Sequence, residues 1–226
     1  MSDREAAKRR AAESAVSTVE DGMTVGLGSG STAAAAIRLL GERVADGLEV
    51  VGIPTSYQAA DAARAAGVPL ASLPDVDLID ITIDGADQVA DGDLIKGGGA
   101  SHTREKILAA ASQRLAIVVD DSKVSDTLSA PVPVEALPMA RGHVRGAIRD
   151  LGGAASLRTG DRKSGPVITD NGNVVLDCEY GEITDPTRLA AALAPIPGIV
   201  EHGLFVDLAD EIHIGSSANV TIQRHS

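Results

Sequence analysis

Between residues 82 and 107, in TIDGADQVADGDLIKGGGASHTREKI, four charged side chains and a run of glycines stand as a proton-transfer site would need them. The apolar run IDITI leads into Asp84 and Asp87. Strands of a parallel sheet point their carboxyl ends at the ligand crevice, so two acids there could hold or deprotonate sugar hydroxyls. Taken alone, they are also what an ordinary D-G turn looks like. Gly97, Gly98 and Gly99 follow Lys96. Consecutive glycines are costly in backbone entropy and suit a chain that brings bare amides close to a ligand. Lys96 could neutralise a phosphate or a developing enolate while those amides act as oxyanion donors. Glu105 falls in the early turns of the next helix, a place that the helix dipole favours for any acid. Lys106 beside it is expected to face water.

A second glycine-rich stretch, GLGSGST at 26–32, lies between a strand and a helix. Its glycines free the backbone amides, Ser29, Ser31 and Thr32 offer hydroxyls, and the helix N-terminus adds positive dipole, so phosphate is the natural guest. It is not a dinucleotide fingerprint. Ser31 stands where the third glycine of G-x-G-x-x-G belongs, and no acid ends the next strand, VVGIPTS. Nor is it a Walker loop, because Gly30 occupies the place of the lysine. Read as structure only, it is a turn capped by Ser31. Lys123, in VVDDSKV, lies just past a strand, where it could reach a ligand or face water. Lys8 could add a phosphate contact, or form one solvated helical face with Arg9 and Arg10. His102, His143, His202, His213 and His225 lack paired ligand spacing and read as surface or packing residues, so no metal is expected. Together, a phosphate cradle, acids, a cation and amide donors fit proton transfer between adjacent carbons of a small phosphorylated sugar, with no cofactor required.

The rest of the chain must position these groups. Its 226 residues, 44% apolar, suffice for a real core, and with no Trp and one Phe that core is aliphatic, as suits helices on a buried sheet. From 23 to 121, apolar runs alternate with alanine-rich segments, the pattern of βαβ units. The expected strands are 23–27, 49–53, 78–83 and 114–119, and the expected helices are 3–19, 31–45, 57–66 and 102–111, with DGDLI (91–95) as a short, acidic approach to KGGG. After 130 come PVPVEALP, RGHVRGAIRDLGG, AASLRTG, NVVLDCEY, DPTRLAAALAPIPG and IVEHGLF, in the order β-α-β-β-α-β of a ferredoxin-like unit. A last strand within 207–224 returns to the first sheet. The fold class is therefore α/β: a Rossmann-like parallel-sheet domain, 1–129 with 206–226, and a smaller ferredoxin-like α+β domain, 130–205.

A formal charge of -12 repels nucleic acid and anionic membranes, so an anionic ligand needs a local basic pocket. Thirty-two acids against twenty Lys plus Arg suggest a halophilic source, with an ordinary acidic protein as the alternative. The one cysteine, Cys178, excludes an internal disulfide and reads as a small buried apolar residue. No stretch approaches the ~20 apolar residues of a membrane span, and the expected location is the cytoplasm.

These motifs, with VDDSK, PVPVEALPMA, TDNGNVVLD and IPGIVEHGLF, resemble nearly end to end the type A ribose-5-phosphate isomerases, in order and spacing. DGAD, and KGGG followed by TREK, are the most specific. The resemblance implies that Glu105 is the general acid/base, shuttling a proton between C1 and C2 through a cis-enediolate. It implies that Asp84, Asp87 and Lys96 bind the sugar, assist ring opening and stabilise the enediolate. Ser29, Gly30, Ser31, Thr32, Gly85, Ala86, Gly97, Gly98, Gly99 and Lys123 match the family's substrate-binding positions. The family works without metal or organic cofactor, and its members are commonly homodimers or homotetramers, with the small domain as the contact. His102 departs from the apolar residue usual before TREK, and IGSSANVTI from the usual ending. Two other classes are less well matched. A non-catalytic sugar-phosphate sensor would need a DNA-binding module that residues 1–21 are too short and too mixed in charge to form. An NAD(P)-dependent oxidoreductase would need the missing glycine and acid.

Overall fold

The computed structural model describes residues 2–160 and 164–225; residues 161–163, within the expected small domain, lie outside the described residues. In chain order the elements are α1 (Asp3–Val16), β1 (Thr24–Leu27), α2 (Gly30–Ala45), β2 (Val51–Pro54), α3 (Tyr57–Ala66), β3 (Ile81–Asp84), β4 (Gln88–Ala90), β5 (Asp93–Ile95), α4 (His102–Ala111) and β6 (Leu115–Asp120). They continue with β7 (Val132–Ala136), α5 (Arg141–Asp150), β8 (Ala154–Leu157), β9 (Val174–Glu179), α6 (Pro186–Leu193), β10 (Ile199–His202), β11 (Leu204–Phe205), β12 (Glu211–Gly215) and β13 (Val220–Arg224). Packing divides the chain into one unit of Met1–Ala86, Arg104–Val124 and Leu208–Ser226, and a second of Asp87–Thr103 and Ser125–Asp207.

The first unit is a six-stranded sheet in the order β13-β12-β6-β3-β1-β2. All neighbours are parallel except β13, which runs antiparallel to β12. Val25, Leu27, Ile81, Ile83, Ala116 and Val118 pack against α1, α2 and α3 through Ala11, Ala15, Ile37, Leu40, Ala59 and Ala63. Local chemistry starts and stops these helices. Ser2 and Glu5 form a reciprocal capping box at α1, Ser56 caps α3 through the Ala59 amide, and Gly67, at φ 77°, ends α3 in the left-handed conformation. α1 lies so close on β12 that a Cβ at Gly215 would sit 2.0 Å from the Ala7 carbonyl oxygen.

The second unit carries an antiparallel sheet in the order β10-β7-β9-β8, with α5 and α6 as the helices of a β-α-β-β-α-β unit. Val132, Val134, Val144, Ile148, Leu176 and Leu193 form its core. Cys178 is fully buried in it, and burial pushes its thiol up to about 12. A smaller sheet, β11-β5-β4, completes the unit.

Three expectations need correction. The short approach at 91–95 is part of a hairpin, β4–β5, turned by Asp91 (φ 47°) and Gly92 (φ 89°); two successive positive-φ residues suit a tight hairpin. IVEHGLF is two strands, because the chain changes sheets at Gly203. The Gly203 amide donates to Pro133 O and its carbonyl accepts from the Lys96 amide at 2.8 Å, and a Cβ there would lie 2.1 Å from Lys96 O. The final return is a hairpin, β12–β13, in which only β12 is parallel to β6. Among the described residues no helix is long and apolar enough to cross a membrane.

Candidate active site

In the first unit, the GLGSGST loop is shaped by the neighbouring strand. A Cβ at Gly26 would lie 1.9 Å from Thr82 Oγ1, and one at Gly28 would lie 2.1 Å from Asp84 Oδ1, so both glycines make room for β3 side chains. Asp84, at the carboxyl end of β3 and 1% exposed, accepts the Ser29 amide at 3.0 Å and the Gly85 amide at 2.7 Å on Oδ1. The first residue of α2 is Gly30 (φ 89°), with no atom within 4 Å of where its Cβ would be. The helix cap is therefore Ser29, not Ser31, and its hydroxyl is turned away to Thr55 Oγ1 (2.9 Å) and Ser56 Oγ (2.6 Å). Ser31 is exposed and accepts from Lys8 Nζ at 2.8 Å, which brings Lys8 to the loop. Thr32 is half-buried one residue further on.

Glu105 also belongs to the first unit, in the first turn of α4, and is only 4% exposed. Its neighbour Arg104 stacks on Tyr57, 5.2 Å from the ring centre. Lys106 is half-buried, not fully solvated. Lys123 ends the short turn after β6 and is half-exposed. Asp120 caps that turn. Burial alone would raise its pKa, but hydrogen bonds from Ser122 and Arg4 outweigh this and hold it below the usual carboxylate range.

In the second unit, Lys96 is 2% exposed, with Nζ 5.2 Å from the centre of the Phe205 ring. Gly97 adopts φ 105°, and a Cβ on it would strike His102 Nδ1 at 2.6 Å. Gly98 donates its amide to Asp87 Oδ2 at 2.6 Å, and a Cβ there would reach Asp87 Oδ1 at 2.5 Å. Gly98 and Gly99 are exposed, and no atom lies within 4 Å of where a Gly99 Cβ would be. Asp87 is half-buried. Thus each unit holds a carboxylate tied to glycine-loop amides, Asp84 in one and Asp87 in the other; Gly85 and Ala86 link them along the chain.

Sequence reasoning passed over two groups here. Glu135, within the apolar PVPVEALP, is 0% exposed and accepts from Thr169 Oγ1 (2.8 Å), Asn171 Nδ2 (3.1 Å), Asn173 Nδ2 (2.7 Å) and the Thr103 hydroxyl. Burial would raise its pKa, but these four donors overcome it and hold it low. An acid in an otherwise apolar strand, with TDNGN downstream, was the available signal. His102 is fully buried; its Nε2 lies 3.1 Å from the Glu135 amide and 3.3 Å from Glu201 O. An amide can only donate, so Nε2 accepts from Glu135 N. The other missed group is Arg158, which reaches the glycine loop. Among the described residues, no three His, Cys, Asp or Glu side chains are gathered as a metal-ligand set.

The family model for ribose 5-phosphate isomerase A (phosphoriboisomerase A) matches residues 51–219. The chain belongs to that family. It is 57% identical over 219 residues to the ribose-5-phosphate isomerase A of Haloarcula marismortui, covering 97% of this chain and 96% of the relative. With that of Halobacterium salinarum it shares 49% over 217 residues, covering 96% and 95%. Both sources are halophilic archaea, in line with the acid-rich composition. Among solved structures, the ribose 5-phosphate isomerase A of Methanocaldococcus jannaschii superposes with TM-score 0.93 at 43% identity, over 96% of this chain and 98% of that one. A D-ribose-5-phosphate isomerase in complex with phospho-erythronic acid gives TM-score 0.96 at 41% identity, over 99% and 100%. As a member of the ribose 5-phosphate isomerase A family, the chain is an isomerase with the α/β fold expected of it.

Proposed function

We propose that the chain interconverts D-ribose 5-phosphate and D-ribulose 5-phosphate through a cis-enediolate, in non-oxidative pentose phosphate metabolism. The observation that carries this reading is a shielded carboxylate, Glu105, in the first turn of the helix that follows the KGGG loop, within a chain similar from end to end to enzymes of this name. In the open-chain aldose, Glu105 takes the proton from C2 and returns it to C1 as the carbonyl moves from C1 to C2. One base then serves both half-reactions. Asp84 and Asp87 bind the sugar hydroxyls and assist ring opening. Lys96 and the amides of Gly97, Gly98 and Gly99 stabilise the negative oxygen, a role that needs donors fixed before charge develops. Ser29, Gly30, Ser31 and Thr32, with Gly85, Ala86 and Lys123, complete substrate binding.

Residues 1–129 with 206–226 are proposed as the catalytic domain and 130–205 as the subunit contact of a cytoplasmic homodimer or homotetramer. The decisive test mixes purified protein with ribose 5-phosphate and EDTA and follows ribulose 5-phosphate across salt concentrations. Failure to form the ketose at any salt overturns the reading. Glu105→Gln should lower turnover by roughly a hundredfold or more while leaving the fold and sugar-phosphate binding nearly intact; an active variant removes Glu105 as the base.

A further inference from the structure

The second glycine loop is held from behind by a side chain that no catalytic role has claimed. Arg158 follows β8 and is half-buried. Its guanidinium forms a two-pronged pair with Asp177 of β9, Nε to Oδ2 at 2.9 Å and Nη2 to Oδ1. That pair fixes the plane of the guanidinium. The remaining nitrogen, Nη1, donates to Gly97 O at 2.8 Å and Gly98 O at 3.1 Å.

The described chain has no cis peptide bond, and a trans peptide sends its C=O and the following N–H in opposite directions. Holding Gly97 O therefore aims the Gly98 amide the other way, where it meets Asp87 Oδ2 at 2.6 Å. Holding Gly98 O likewise aims the Gly99 amide away from Arg158, at the residue whose Cβ position is open space. The Gly97–Gly98 peptide is thus clamped between a cation on its oxygen and an anion on its N–H, which polarises it and suppresses a flip. Gly97 O also accepts the Ala100 amide at 2.9 Å, so the turn itself holds the first plane in part, whereas the Gly98–Gly99 plane depends on Arg158 for the hold on its oxygen.

We infer that Arg158 is a positioning residue for the isomerisation: it sets the two peptide planes that aim one amide at Asp87 and a second at the substrate oxygen that becomes negative. The inference rests on the proposed isomerase reading. It differs from a stabilising role in the sheet because the Asp177 pair, not the loop contact, serves β8 and β9.

Arg158→Ala should lower kcat by roughly ten- to a hundredfold, as expected when a preorganised donor drifts by about an ångström, with a smaller change in KM. Added methylguanidine should restore much of the lost kcat, and Arg158→Lys should lie between. Phospho-erythronic acid, which has a carboxylate as well as a phosphate, should bind the variant more weakly, while inorganic phosphate binds equally well. Faster hydrogen exchange at the Gly98 amide should accompany these changes. Asp177→Asn, which keeps Arg158 but loosens its plane, should give a milder form of the same pattern and serves if Arg158→Ala does not fold. Wild-type kcat together with unchanged Gly98 exchange in Arg158→Ala overturns the inference, and so does a loss that methylguanidine does not restore. If the wild-type protein itself makes no ribulose 5-phosphate, the isomerase reading falls, and Gly98 exchange with phospho-erythronic acid binding still decides the role of Arg158.

Discussion

The two glycine-rich loops look alike in sequence and are built for different reasons. In GLGSGST, Gly26 and Gly28 are glycine because β3 leaves no room for a Cβ, and the loop is pinned by short side chains, Ser29 to Thr55 and Ser56, and by Asp84. In KGGG, Gly97 needs a positive φ, Gly98 yields to Asp87, and a Cβ on Gly99 would meet nothing within 4 Å; the loop is pinned by the charged side chains of Asp87 and Arg158 and by the Ala100 amide on Gly97 O. The first loop is rigid because it is packed, the second because it is clamped. Glycines that serve packing should be costly to stability, whereas a glycine facing open space should matter to the reaction alone.

The largest expected effect is at Gly28. Gly28→Ala forces a methyl into the Asp84 carboxyl and backbone, and should lose about 3 kcal/mol in urea unfolding together with most activity. A stable, active variant would break the contrast at once. Next comes Glu135→Ala, which leaves Thr169, Asn171 and Asn173 without their acceptor and Thr103 of α4 without its anchor. About 2 kcal/mol should be lost, with a fall in kcat larger than the change in KM. An unchanged urea midpoint would show that water replaces the carboxylate.

Acid should loosen the two units in order. His213 is buried on β12 between Ser14 and Glu211, and burial, only partly opposed by Glu211, lowers its pKa. The folded state therefore disfavours the protonated ring. Its contribution is intact above the unfolded value of about 6.5 and declines as pH falls from there toward the folded value, by at most about 1.4 kcal/mol per pH unit. The pKa of Glu135 is also lowered, so its contribution is complete above about 4.3 and is lost only as pH falls through its folded value. Urea midpoints measured from pH 7 to 4 should decline first through His213, and His213→Gln should flatten that first decline. The smallest change in stability, within about 0.5 kcal/mol, is expected for Gly99→Ala. With no atom within 4 Å of the added methyl, only kcat/KM should fall, by several-fold. A loss of stability equal to that of Gly28→Ala would erase the distinction between the loops.

What the sequence revealed follows the same division. α3 and α4 were legible to the residue, since Ser56 and Gly67 bracket one and the apolar spacing after His102 sets the other. The places of Asp84 at a strand end and of Glu105 at a helix start were legible because such ends announce themselves locally, and Lys96 stood out through the three glycines that follow it. The β4–β5 hairpin could have been read from Asp91-Gly92 between QVA and DLI, but three-residue strands give too short a period to see. Gly203 was not legible as a change of sheet, since the reason lies at Lys96 and Pro133. Arg158 is 61 residues from Gly97 in the sequence, and Glu135 is 34 from Thr169. Pairings at such separations depend on strand register, which periodicity within one segment does not carry.

The seat of α1 on β12 has a bearing on how the molecule is made. The alanine face of this first helix rests against Gly215, Arg10 Nη1 donates to Ser216 O at 3.1 Å, and Ser14 holds His213 at 2.8 Å. The helix thus leaves the ribosome long before the strand it needs. The unit that carries Glu105 needs residues 208–226, while the residues of the second unit end at Asp207. A nascent chain halted before residue 211 would already hold the strand and helix partners of Ala11 and Ala15, but would leave Ala7 and the adjoining helix backbone without the cover of Gly215.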